Sequence, residues 1–114
     1  MLGLSYKPNV PDIRNSLSLK LIKELKTYQV DYFVHDPHVS QELLSTKYHI
    51  EVQDYVDMED LNVIILAVGH KFYLDKGFSS ITEKLQKPAL LMDITGLFAS
   101  EDALNLNQIN YWVL

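Results

Sequence analysis

The chain contains no cysteine, which excludes disulfides, thiolate-bound metal and covalent thiol catalysis within it. Glycine is scarce, with four residues at positions 3, 69, 77 and 96. The dinucleotide fingerprint needs three glycines within six residues so that backbone can approach a pyrophosphate. No stretch here supplies it. The longest apolar run, Val63 to Val68, falls far short of the ~18 residues of a spanning helix. The N-terminus also lacks a basic segment followed by an apolar one. Positive charge is in deficit, with 10 Lys+Arg against 15 Asp+Glu and a net charge of −5, so nothing draws the chain to nucleic acid or an anionic membrane. The expectation is a soluble, cytoplasmic domain that holds any anionic ligand at a local site.

What is present is globular. At 114 residues, 47% hydrophobic and 22% charged, the chain reads as one domain, residues 1–114, able to bury its own core. Leu17, Leu21, Ile22, Leu25 and Tyr28 recur at helical spacing, which predicts a helix over Ser16–Gln29. Val30–His35 is a short β-branched and aromatic run stopped by Asp36-Pro37, and reads as a strand. A weaker helix follows over Val39–Lys47, then a brief strand at Ile50–Val52. Asn62–Val68 suits a central parallel strand buried on both faces. A helix over Phe78–Leu85, interruption at Pro88, a buried strand over Ala89–Asp93 and an edge strand at Ile109–Val113 complete the series. Alternation of this kind implies a Rossmann-like three-layer α/β/α fold with a mainly parallel sheet and right-handed crossovers. The opening Met1-Leu2-Gly3-Leu4 holds only the end of a buried strand, so the first strand reads as truncated and the chain as a fragment of a longer protein.

Functional interest centres on Gly3 to Ser16, GLSYKPNVPDIRNS. Lys7 and Arg14 flank a loop stiffened by Pro8 and Pro11, and Ser16 is placed to cap the next helix, so backbone N–H groups and two cations converge as a phosphate site would require. Ligands of open α/β sheets bind beyond the carboxyl ends of the strands, where this loop lies. The competing reading is two solvated cations, one paired with Asp12. His70 follows the buried strand on the same edge, and serves either a ligand or local backbone. Tyr6, Phe72 and Tyr73 are placed to stack on a base or merely to pack. Asp36 stands where an acidic residue would bind ribose, but without the glycines an Asp-Pro turn accounts for it better. His35 and His38 bracket that turn, yet no second cluster accompanies them, so no metal site is expected. Leu91-Met92-Asp93-Ile94 has the look of a receiver phosphoacceptor strand but lacks the required acidic pair and downstream lysine.

Taken in order, GLSYKPNVPDIRNSLSLKLIKEL, FVHDP, AVGHKFY and MDITGLF resemble the C-terminal domain of the UDP-glucose/GDP-mannose dehydrogenase family over nearly the whole chain. The family pattern of Gly, an aromatic, Lys, then Asp-x-Arg-x-Ser is met by Gly3, Tyr6, Lys7, Asp12, Arg14 and Ser16. The resemblance implies a parent enzyme that oxidises the C6 hydroxyl of a nucleotide sugar to a carboxylate in two NAD-dependent steps through a cysteine thioester, serving surface polysaccharide synthesis. It implies further that NAD binds an N-terminal domain and that a central domain carries the cysteine and makes a homodimer. This chain would then contribute no catalytic residue and bind no cofactor. Lys7 and Arg14 become contacts to the UDP-sugar, with Tyr6 beside them and His70 and Thr95 at the same edge. Ala67-Val68-Gly69-His70 is similar to branches acting on N-acetylated sugars, and points to a UDP-N-acetylhexosamine. Thr95 stands where the family often has Arg or Lys. The alternative is a flavodoxin-like or receiver-like interaction module that binds no nucleotide.

Overall fold

The computed structural model describes residues 1–100 and 106–114. Three strands form a parallel sheet in the order β1 (Leu61–Leu66), β2 (Leu85–Asp93), β3 (Ile109–Val113). Single parallel pairings extend it: Leu2 lies between Leu66 and His35, and Val34 pairs with Val52. Counted along the chain, the extended segments at Leu2, Val34–His35 and Val52 come first, second and third, and β1 to β3 fourth to sixth. Across the sheet they therefore run 3-2-1-4-5-6, a doubly wound order whose direction reverses between Leu2 and β1.

The short first segment is stitched on both sides. Leu2 N–H donates to the Ile65 carbonyl at 2.8 Å and Gly3 N–H to that of His35 at 2.9 Å, while Ala67 and His35 donate back to Leu2 and Met1. Only Val34–His35 of the expected Val30–His35 strand is paired, because its partner segment is so short. The expected strand at Ile50–Val52 reduces to the pairing at Val52 for the same reason.

Helices α1 (Leu17–Thr27) and α2 (Gln41–Thr46) cover one face, where Leu4, Ile13, Ile22, Val34, Val39, Leu44 and Ile50 form a core. On the opposite face, α3 (Lys71–Lys76), α4 (Phe78–Thr82) and a 3-10 turn at Tyr55–Asp57 enclose Leu2, Ile64, Leu66, Tyr73, Ile81, Leu91 and Phe98. Right-handed crossovers impose this split: leftward connections place their helices on one face and rightward ones on the other. On the α1 side of β1–β3, Val63 and Trp112 are partly exposed, and no described helix lies over them.

Several elements depart from expectation. Ser16 caps α1 as expected, and the middle of the apolar stripe faces the core, with Ile22 buried and Leu21 and Leu25 half-buried. At the ends Leu17 and the capping Tyr28 are 76% and 75% exposed, while Ser18 is buried. At the start of the helix, buried Ser16 accepts from Ser18 N–H and donates to the Leu4 carbonyl at 2.6 Å, which ties this end to the first strand segment. The helix at Phe78 stops at Thr82, because Leu85 is taken into β2 opposite Leu61 and buried. Pro88 does not interrupt β2. It sits in the strand on a cis Lys87–Pro88 bond, where the register against β1 shifts. Helix α3 carries no periodic signature in the sequence, its six residues being too few to display one.

Candidate functional site

The reversal point of the sheet is built from two loops that leave adjacent strands. Gly3 has φ +92°, and a Cβ there would lie 2.6 Å from Val68 Cβ and 2.7 Å from Val68 N. The two backbones touch only because that residue is glycine. Above this contact opens a cleft of about 340 Å³ lined by Tyr6, Lys7, Pro8, Ala67, Val68, Gly69, Thr95 and Leu97. A second concavity lies beside it, lined by Tyr6, Asp12, Arg14 and Asn15. Tyr6, 60% exposed, is the wall between them.

The two cations therefore sit on either side of an exposed aromatic ring. Lys7 is exposed and makes no salt bridge among the described residues. Arg14 is held by a fork, Nε to Asp12 Oδ1 at 3.0 Å and Nη2 to Oδ2 at 2.8 Å. That guanidinium lowers the Asp12 carboxyl to about 2. Asp12 is thus ionised at neutral pH and aims the Arg14 side chain, which is 84% exposed. The Asp12 carbonyl also accepts from Tyr6 N–H at 2.6 Å, which folds the loop back on itself.

The floor of the site is a polar network. Asp36 is buried and accepts from Leu4 N–H at 2.7 Å, Ser5 N–H at 2.9 Å and His38 N–H at 2.8 Å. Burial alone would raise its carboxyl, but the bonds from His70 and those three amides outweigh burial and hold it far below the usual carboxylate range. His70 is wholly buried behind the loop, with its ring nitrogens facing Asn9, Ser5 and Asp36. In the turn between β1 and α3, His70 faces inward to pair with Asp36 at 2.9 Å rather than lining the cleft.

Thr95 lines the cleft, but its one hydroxyl proton goes to Asp93 Oδ1 at 2.8 Å and the oxygen accepts from Leu97 N–H. Donation to a ligand would require giving up the bond to Asp93. Phe72 and Tyr73, candidates for stacking by position, pack instead with Tyr55 and His35 behind the sheet edge. The sequence reading misses the carboxylates. By sequence Asp36 is a turn former and Asp93 a rejected phosphoacceptor, yet each organises a loop of the site; acids directly ending buried segments are the available signal.

No group of three or more His, Cys, Asp or Glu side chains converges as a metal site among the described residues, and no described helix is long and apolar enough to cross a membrane. His35 is instead a buried structural histidine. Its Nδ1–H donates to Tyr73 Oη at 2.9 Å, and Tyr73 donates onward to the His35 carbonyl. Burial lowers the imidazole to about 4, with the nearby Asp36 charge only partly offsetting that loss. Unfolded histidine titrates near ~6.5, so the unfolded chain binds the extra proton between these values and stability falls as pH drops through that window. Two to three pH units at ~1.4 kcal/mol each give a loss of about 3 kcal/mol by pH 4. Urea unfolding at pH 7, 6, 5 and 4 should show it, and His35→Gln should flatten the slope.

Residues 1–100 match the sequence model of the UDP-glucose/GDP-mannose dehydrogenase family, UDP binding domain. The chain is 30% identical over 108 residues to Protein CapL of Staphylococcus aureus, spanning 95% of this chain and 25% of CapL. It is 30% identical over 103 residues to the UDP-N-acetyl-D-glucosamine 6-dehydrogenase of Salmonella typhi, spanning 90% of this chain and 24% of that enzyme. A solved derivative structure of the UDP-N-acetyl-mannosamine dehydrogenase Cap5O from S. aureus superposes with a TM-score of 0.68 at 20% identity, over 98% of this chain and 24% of that one. That likeness establishes a shared fold, and the chain spans about a quarter of the length of each of these proteins.

Proposed function

Because the chain belongs to the UDP-glucose/GDP-mannose dehydrogenase family, whose UDP-binding domain it matches over residues 1–100, we propose that it binds the nucleotide of a UDP-sugar. The observation that carries this is the cleft at the sheet's reversal point, with exposed Tyr6 between Lys7 and Arg14. An aromatic face offers stacking to uracil, and two exposed cations match the roughly −2 charge of a diphosphate. The intact enzyme would oxidise the sugar C6 hydroxyl to a carboxylate, in the cytoplasm and as a homodimer, to supply surface polysaccharide synthesis. A UDP-N-acetylhexosamine is the favoured substrate, supported by Ala67–His70 and by the stated substrate of the Salmonella typhi relative.

NAD does not fit the residues present. The glycine that approaches another backbone, Gly3, does so against Val68 rather than at a helix N-terminus, and the four glycines are too dispersed for the fingerprint. Neither is there a cysteine to form a thioester. Hydride transfer and thioester chemistry would therefore belong to the other domains of the parent enzyme, and this chain would contribute binding and orientation.

Titration with UDP and with NAD, followed by amide NMR shifts, tests the assignment. UDP should perturb Tyr6, Lys7, Arg14 and Gly69, and NAD should bind far more weakly; comparable affinity for NAD, or silence with UDP, overturns it. Lys7→Ala should weaken UDP about tenfold, the effect of losing a charge-assisted contact of about 1.5 kcal/mol. Arg14→Ala should do less, because part of its charge is already spent on Asp12. Since both side chains are exposed, the melting temperature should barely move.

A further inference from the structure

The loop that carries Lys7 is fastened at both ends by hydrogen bonds to Asp36, His70 and the start of α3. At its start, Asp36 Oδ2 takes the Leu4 and Ser5 amides, and Ser5 Oγ donates to the Lys7 carbonyl at 3.0 Å. At its end, Asn9 N–H points at His70 Nδ1 at 2.9 Å, and Asn9 Oδ1 accepts from Lys71 N–H at 2.8 Å. Asn9 holds φ +64°, a left-handed conformation that asparagine tolerates better than most residues.

These contacts dictate where the proton of His70 resides. An amide N–H can only donate, so His70 Nδ1 must present its lone pair to Asn9. The proton is then on Nε2, 2.9 Å from Asp36 Oδ2 and 3.1 Å from Ser5 Oγ, both able to accept. Asp36 thus selects one neutral tautomer, and that tautomer is the one that grips Asn9. The ring is fully buried, with His38 at 4.9 Å and Tyr73 at 5.8 Å between centroids. The neighbouring Lys71 amine is turned to Asp75 at 2.6 Å.

We propose that Asp36 and His70 are positioning residues that hold the Lys7 loop in its ligand-ready form through the bond from Asn9 N–H to His70 Nδ1. The proposal rests on the reading of this cleft as a nucleotide site. It assigns His70 a role behind the loop, in orienting the residues that meet the diphosphate, and it separates the two nitrogens. The Nδ1 acceptor sets the loop, whereas the Nε2 donor sets the tautomer. Ordering the loop before binding spares the ligand that entropic cost.

Two near-isosteric substitutions divide these functions. His70→Asn keeps an acceptor near the Nδ1 position and loses the donor to Asp36. His70→Gln keeps a donor near Nε2 and loses the acceptor for Asn9. We expect His70→Gln to weaken UDP about tenfold, equivalent to ~1.4 kcal/mol, and His70→Asn to retain affinity within about threefold, although both lower the melting temperature. Long-range nitrogen–proton NMR of the native chain should show His70 neutral with its proton on Nε2 at pH 7. Equal UDP affinity for folded His70→Gln and the native chain overturns the proposal while the nucleotide reading stands. A proton found on Nδ1 also overturns it. If the native chain does not bind UDP at all, the nucleotide reading falls. The clasp is then tested by amide hydrogen exchange: faster exchange at Asn9 in His70→Gln than in His70→Asn supports it, and equal exchange overturns it.

Discussion

Gly3→Ala should destabilise the chain severely. The new Cβ would stand 2.6 Å from Val68 Cβ and 2.7 Å from Val68 N, and the latter is backbone that cannot swing away. Overpacking of this kind costs about 1–3 kcal/mol, and a positive φ adds about 1–2 kcal/mol for a residue with a side chain. The sum, about 2–5 kcal/mol, is a large part of the stability of a marginal domain, commonly ~5–15 kcal/mol. Gly96→Ala is the control. Gly96 also has positive φ, at +69°, but the atom nearest to its new methyl group, Val113 Cγ2, would be 3.9 Å away. It should lose only about 1 kcal/mol. Urea melts followed by circular dichroism would compare them, and equal losses would show that the close approach at Val68 is relaxed in solution.

Asp93→Ala should cost about 3 kcal/mol or more and open the far wall of the cleft. Asp93 is completely buried at the end of β2. One oxygen accepts from Thr95 N–H, Thr95 Oγ1 and Leu97 N–H, and the other from Phe98 N–H at 2.9 Å and Tyr111 Oη at 2.8 Å. Alanine would strand these donors, each worth about 1–3 kcal/mol where water cannot replace the acceptor. Burial raises the carboxyl, but the bonds from Phe98, Thr95, Tyr111 and Leu97 outweigh it and leave it lowered. Its contribution is therefore present at neutral pH and is lost as acid protonates the folded carboxylate. Because Thr95 and Leu97 line the cleft, nucleotide affinity should fall with stability. Asp93→Asn should restore part of both, and an Ala variant as stable as the native chain would refute this account.

Much of the fold is legible in the sequence because its signals are local. Asn62–Val68 announces a parallel strand by composition, although burial on both faces does not follow, since Val63 is exposed on the face that no described helix covers; Ser16 announces a helix start by its capping chemistry. The α1 stripe holds at Leu21, Ile22 and Leu25 and fails at its ends, Leu17 and Tyr28, because periodicity marks a face but not how far along the helix the core covers it. Leu85 misleads similarly, since pairing with Leu61 of β1 overrides the helical tendency of an isolated residue, whereas Pro88 stays within β2 at the place where the register against β1 shifts.

At the candidate site, residue type and position are enough to mark Tyr6, Lys7 and Arg14, since exposed groups on a short loop act largely through their own chemistry. The absence of cysteine and of a glycine fingerprint is likewise decided by sequence alone. Only the tertiary structure decides that His70 faces inward, that Thr95 has no free donor, and that two buried carboxylates hold the loops. The inward turn of His70 and the hold of Asp36 depend on hydrogen bonds between residues 31–34 and 61–65 positions apart. Such bonds exist only once the sheet brings Leu2, Val34–His35 and β1 side by side, and no local pattern encodes them.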